Sequence, residues 1–189
     1  MMWEEQDFAY TVQGRVLEAM TEFSVAILTA SDKGARGERE DGSAPVIREL
    51  VEPLGGHVVA YTIVPDDLLL IKSKLTEYAD TMRVSLVLTT GGTGLGPRDH
   101  TPEATLAVLD RQVPGMAEAM RAFGCLKTPH AMLSRAVCGV RKATLIVNLP
   151  GSPRAVRENL SVILPALPHA LQVLRGESAE CATLRRENE

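Results

Sequence analysis

A chain of 189 residues carrying 24 acidic and 20 basic side chains, net charge −4, fits one α/β domain and lacks the basic footprint of a nucleic-acid-binding protein. Its densest basic group, Arg135 with Arg141 and Lys142, is too sparse to grip a phosphate backbone. Cys125, Cys138 and Cys181 form no CxxC pair and the histidines show no zinc-like spacing, so reduced thiols in a cytoplasmic protein are expected.

Residues 1–22 read as an extension with a short helix around Val12 to Met20, and Met1–Glu5 lacks the basic and apolar regions of a signal peptide. Val25–Leu28 is a short apolar strand that runs into a polar, heavily charged loop over 29–43. Ser43 is expected to cap the next helix, with Pro45 in its first turn and Ile47, Leu50, Val51 and Leu54 at helical spacing. Gly55-Gly56 stops it, and Val58–Val64 is the second strand. After Pro65-Asp66-Asp67, where one aspartate reads as a helix cap, Leu68, Ile71, Leu75, Tyr78 and Met82 mark one helical face. Val84–Leu88 is a third strand. A helix is expected from Thr101 as its cap, divided at Pro114-Gly115 from another around Met116 to Phe123. The stretch 124–135 reads as irregular, and Ala136–Val140 and Thr144–Leu149 as strands. Ser152 and Pro153 open a helix with Val156, Leu160 and Ile163 inward, and Ala166–Leu174 forms the last one. Pro165, Pro168 and His169 interrupt that apolar end, so no membrane span is expected. Short apolar strands alternating with helices imply a mostly parallel sheet with helices on both faces, and ligands outside the C-terminal strand ends.

Four loops meet at that edge, and the run Thr89–Thr105 is the richest in chemistry. Gly91, Gly92, Gly94 and Gly96 let bare backbone approach a ligand, and the helix start beyond them presents unpaired N–H groups to an anion. No Gly-Lys-Ser/Thr follows, so this is not a Walker A loop; Pro97 stands where the dinucleotide pattern needs its third glycine. A tight turn needs only one or two glycines, and this loop adds threonines and the Arg98-Asp99 pair. Asp99 lies just outside the helix cap, where a carboxylate beside a phosphate loop suits Mg²⁺. Glu103 suits a structural place in the first helical turn. Asp32 and Asp41 read by default as solvated acids, and Gly151 either relieves a turn or lets backbone meet a ligand.

Thr89–Gly94 with Arg98–Thr105, Val64-Pro65-Asp66 and Asn148–Pro153 together resemble the molybdopterin adenylyltransferases of the MogA/MoaB type, over about residues 23–176 and leaving a tail at 177–189. The resemblance implies the molybdopterin-binding fold and a cytoplasmic enzyme that transfers adenylyl from Mg-ATP to the terminal phosphate of molybdopterin, giving adenylyl-molybdopterin and pyrophosphate. It assigns Asp66 and Asp99 to catalysis and Mg²⁺ binding, which reverses the capping reading of Asp66. Gly91, Gly92, Thr93, Gly94, Arg98 and Thr101 would bind substrate, with Ser31, Asp32, Ser43, Gly151 and Ser152 beside them. It further implies a homotrimer or hexamer and a downstream molybdenum-insertion protein. A rival reading is a molybdopterin-binding protein that performs no catalysis.

Overall fold

The structure is a computed structural model and describes residues 22–177; the expected helix at Val12–Met20 and Cys181 lie outside them. A six-stranded sheet has the order β2-β1-β3-β6-β5-β4. Its strands are β1 (Phe23–Ala30), β2 (Gly56–Val64), β3 (Leu86–Thr90), β4 (Arg111–Gln112), β5 (Cys138–Arg141) and β6 (Thr144–Leu149). The strands β2, β1, β3 and β6 are mutually parallel, while β5 runs against β6 and β4 against β5. This is the expected mostly parallel α/β sheet.

The helices are α1 (Asp32–Ala35), α2 (Ser43–Val51), α3 (Leu68–Thr76), α4 (Thr101–Leu106), α5 (Pro114–Lys127), α6 (Pro153–Ile163) and α7 (Leu167–Arg175). Side chains alternate across a strand, so β1 feeds both faces. Val25 and Ile27 join one core with Ile47 of α2, Met120 of α5, Leu160 of α6 and Leu171 of α7. Ala26 and Leu28 join the other with Ile71 and Leu75 of α3 and Ala104 of α4. Burial on both faces explains why these strands read as continuous apolar runs.

Several expectations need correction. Residues 124–127 continue α5 and Pro129–Leu133 form a 3₁₀ turn, so the stretch read as irregular is largely ordered. Two helices form as expected, but the first ends at Leu106, β4 intervenes, and Pro114-Gly115 open the second helix rather than separate the two. Met82 is 41% exposed, off the expected apolar face. A π-helical turn, Glu77–Thr81, follows α3 and widens the winding, which carries Met82 past the core. Ser43 and Thr101 begin their helices rather than cap them, with Gly42 and His100 in the cap positions. Ser152 does cap α6, accepting from the Ala155 amide at 3.2 Å.

Candidate active site

In-register pairing of Thr29 with Thr90 and of Thr90 with Leu149 aligns the ends of β1, β3 and β6. Their outgoing loops, with the one after β2, enclose a pocket of about 490 Å³. Its floor is main chain. Gly91 has φ +91°, and a β-carbon there would sit 2.3 Å from the Ala30 carbonyl oxygen. Gly151 lies so close that its own β-carbon would stand 3.3 Å from Gly91 Cα, and it also lines the pocket. The Thr90 hydroxyl donates to the Pro150 carbonyl at 2.7 Å and the Ser43 hydroxyl to the Gly151 carbonyl at 3.0 Å, locking the third loop against the other two.

The two adjacent aspartates after β2 divide their work. Asp67 caps α3 by accepting from the Leu69 and Leu70 amides, each at 2.9 Å. Asp66 is thereby left to face the pocket. Its carboxylate accepts the Asp32 amide at 2.9 Å, and its own amide donates to Asp32 at 3.1 Å. Burial pushes the Asp66 carboxyl above the usual aspartate range, and the nearby Asp32 and Asp99 charges add to this against the Asp32 amide and Arg98. Asp99 shares the pocket and is held by the Gly96 amide at 2.7 Å.

Arg98 donates two hydrogen bonds to Asp32, at 2.7 and 2.8 Å, and a third to the Asp66 carbonyl at 3.2 Å. That guanidinium holds the Asp32 carboxyl below its ordinary range. Arg98 and Asp32 therefore satisfy each other outside the pocket lining, and the buried Thr93 and Thr101, with Gly94, are also not part of that lining. Ser31 lines the pocket and caps α1 through the Gly34 amide at 3.1 Å.

Asp41 is not the solvated acid its loop suggested. It accepts from the Thr29 hydroxyl at 2.5 Å, the Tyr61 hydroxyl at 2.8 Å, and the Ser43 and Ala44 amides at 2.8 and 3.3 Å. Burial alone would raise its pKa, but these donors together bring it below the ordinary value. Burial and the Asp41 charge push the Tyr61 phenol up to about 12, so it remains a hydrogen-bond donor.

The residues that brace the site were missed. Asn148 is fully buried and joins β6 to β3 and α4, donating to the Thr89 and Thr105 hydroxyls at 3.0 and 2.9 Å. Arg135, read only as part of a sparse basic group, donates to the Gly94 and Asp99 carbonyls at 2.7 and 2.5 Å and pairs with Glu103. The partners of Arg135 lie 32 or more positions away in sequence, so no local pattern announces them.

The donor set suits a hard divalent cation. Asp66 and Asp99 supply carboxylate oxygens toward one pocket. Beside them the Thr101 hydroxyl is buried without a hydrogen-bond partner among the described residues. A β-carbon on Gly92 would fill the gap between them, 2.5 Å from Thr101 Oγ1 and 3.2 Å from Asp66 Oδ1. Among the described residues no group of three or more His, Cys, Asp or Glu side chains forms a metal cage. Two carboxylates would leave a hard cation such as Mg²⁺ to complete its shell with water and phosphate.

The model of the probable molybdopterin binding domain family matches residues 26–169. The chain belongs to this family. A molybdopterin adenylyltransferase from Helicobacter pylori (strain J99) is 40% identical over 162 residues, covering 83% of this chain and 90% of that protein. Gephyrin from Dictyostelium discoideum is 40% identical over 166 residues; the match spans 82% of this chain and 23% of gephyrin's length. The crystal structure of the molybdopterin biosynthesis enzyme MoaB from Thermus thermophilus superposes with a TM-score of 0.79 at 54% identity, covering 84% of this chain and 99% of that one. The family the motifs resembled is thus the family found, and the Helicobacter pylori relative, matched over most of its length, bears the name of a nucleotidyltransferase. No helix among the described residues is long and apolar enough to cross a membrane.

Proposed function

We propose that this protein works in molybdenum cofactor biosynthesis as an adenylyltransferase, joining the adenylyl group of ATP to the terminal phosphate of molybdopterin. An oxygen of that phosphate forms a bond to the α-phosphorus, the α–β phosphoanhydride bond breaks, and pyrophosphate leaves. The observation that carries this reading is the pair Asp66 and Asp99 turned toward one pocket over a glycine floor. A protein that only bound the pterin would have no use for two unneutralised carboxylates there.

Asp66 and Asp99 would hold Mg²⁺, which when bound supplies charge neutralisation on the phosphate oxygens. The backbone of Gly91 and Gly92 would admit the phosphates closely, while the start of α4 is not free to receive them, because the Thr101 amide donates to the Gly92 carbonyl at 3.2 Å and Pro102 has no N–H. Ser31, Ser43, Gly151 and Ser152 surround the same space and orient the second substrate. The attacking phosphate is already ionised at neutral pH, so no general base is required, in keeping with the absence of histidine or cysteine from the pocket lining. The resemblance also carries a cytoplasmic homotrimer or hexamer that passes its product to a molybdenum-insertion protein.

Incubation with molybdopterin, ATP and Mg²⁺ tests the reading by following adenylyl-molybdopterin and pyrophosphate. Asp99→Ala is expected to abolish turnover while pterin binding largely survives. Wild-type protein that binds the pterin and releases no pyrophosphate would make it a carrier.

A further inference from the structure

The glycine-rich loop has few internal restraints. Its Asp99 amide donates to the Gly96 carbonyl at 3.0 Å, its Gly96 amide to the Asp99 carboxylate at 2.7 Å, and Leu95 at its tip is 67% exposed. A loop with glycines at 91, 92, 94 and 96 has much conformational freedom to lose. Arg98 ties its own side chain to Asp32 and the Asp66 carbonyl, so a second external group is needed to hold the main chain at Asp99 itself.

We propose that Arg135 is that group, a positioning residue that fixes Asp99 by clasping both limbs of the loop. The proposal rests on the adenylyltransferase reading for its kinetic part only. Nε of Arg135 binds the Gly94 carbonyl on the incoming limb, and Nη2 binds the Asp99 carbonyl on the outgoing limb. Nη1 pairs with Glu103 in the first turn of α4, and the Arg135 amide donates to the Thr93 carbonyl at 2.9 Å. One planar fork thus sets loop and helix relative to each other, a geometry that guanidinium provides and ammonium does not. Arg135 is itself anchored. Arg121 of α5 donates to the carbonyls on either side of it, Ser134 at 3.4 Å and Ala136 at 2.8 Å. The line of support runs from α5 through Arg135 to the one carboxylate of the pair that sits on the glycine-rich loop. Arg135 does not line the pocket, so it acts through Asp99 and not on substrate.

The test compares wild type, Arg135→Ala and Arg135→Lys by amide hydrogen exchange, by Mg²⁺ titration with calorimetry, and by pyrophosphate release. In Arg135→Ala, exchange at residues 94–100 should quicken at least about tenfold while β1, β3 and β6 keep their protection. The Mg²⁺ concentration for half-saturation should rise about 10–100-fold, the usual penalty for losing a group that orients a metal ligand. ATP KM should change far less than the Mg²⁺ requirement. Arg135→Lys should resemble Arg135→Ala, since it keeps charge without the fork; full rescue by lysine overturns the positioning claim. Unchanged loop exchange overturns it too, as does a loss of protection spread through the whole sheet. A wild type without turnover would sink the enzyme reading alone, because exchange and Mg²⁺ binding still report on the clasp.

Discussion

Asp32 and Asp66 exchange hydrogen bonds, each carboxylate accepting the other's backbone amide, at 2.9 and 3.1 Å. The pair ties the loop after β1 to the loop after β2 and holds two acids side by side. Arg98 neutralises Asp32 alone through its two-pronged contact. Asp66 is left without an ion-pair partner beside Asp99, and its pKa is raised first by burial, with the Asp32 and Asp99 charges adding to it.

Replacing Asp66 should therefore separate stability from activity. A carboxyl whose folded pKa is raised binds its proton more tightly when folded. That contribution is complete below the unfolded value of about 3.9 and is lost as pH rises through the folded value. At pH 7 the ionised Asp66 thus works against folding. Asp66→Asn keeps an acceptor for the Asp32 amide and should melt at or above the wild-type temperature, by no more than about 1 kcal/mol because solvent screens the site. Pyrophosphate release should fall at least about 100-fold. A variant that loses stability and keeps full activity would return Asp66 to a purely structural place.

Asp41 has the opposite sign. Its pKa is lowered, so the stability it adds is present above the unfolded value and disappears as pH falls through the folded one. Urea melts of Asp41→Ala at pH 7 should show a loss of about 1–3 kcal/mol, since the Thr29 and Tyr61 hydroxyls and the first-turn amides of α2 lose their acceptor. The deficit should shrink in melts below about pH 3.9. A deficit independent of pH would contradict this account.

Gly91→Ala and Gly37→Ala share a positive φ, +91° and +72°, and differ in their surroundings. Nothing lies within 4 Å of a β-carbon at Gly37, whereas one at Gly91 collides with the Ala30 carbonyl. Gly37→Ala should cost about 1 kcal/mol from backbone strain. Gly91→Ala should cost about 3 kcal/mol or more and eliminate pterin binding, because the floor of the pocket must move. Equal melting temperatures for the two variants would refute the close-contact argument.

The parts of this molecule that were readable beforehand are those whose cause is local. Apolar runs such as Val84–Leu88 need only their own residues to declare a buried strand. The glycines, Asp99 and the Ser152 cap were equally visible. Asp66 and Asp67 could not be told apart by chemistry, because either can cap a helix; the fold chose Asp67, and only family resemblance singled out Asp66. β4 escaped notice because Arg111 and Gln112 are exposed and form a strand only through Gly139 and Val140. The four residues of α1 bury nothing, so no periodicity marked them. Arg135, Asn148 and Asp41 act through partners far along the chain or through hydroxyls that carry no motif.

The reversed direction of β5 has a practical outcome. Because it opposes β6, the chain reaches the pocket edge just before β5 begins, where the Val137 carbonyl accepts the Asn148 amide at 3.0 Å. The Lys142-Ala143 turn joining the two strands consequently lies at the other end of the sheet, roughly 20 Å away for a strand as long as β6. An inserted tag or a fluorophore placed in that turn would report on the protein from the side its substrates never visit.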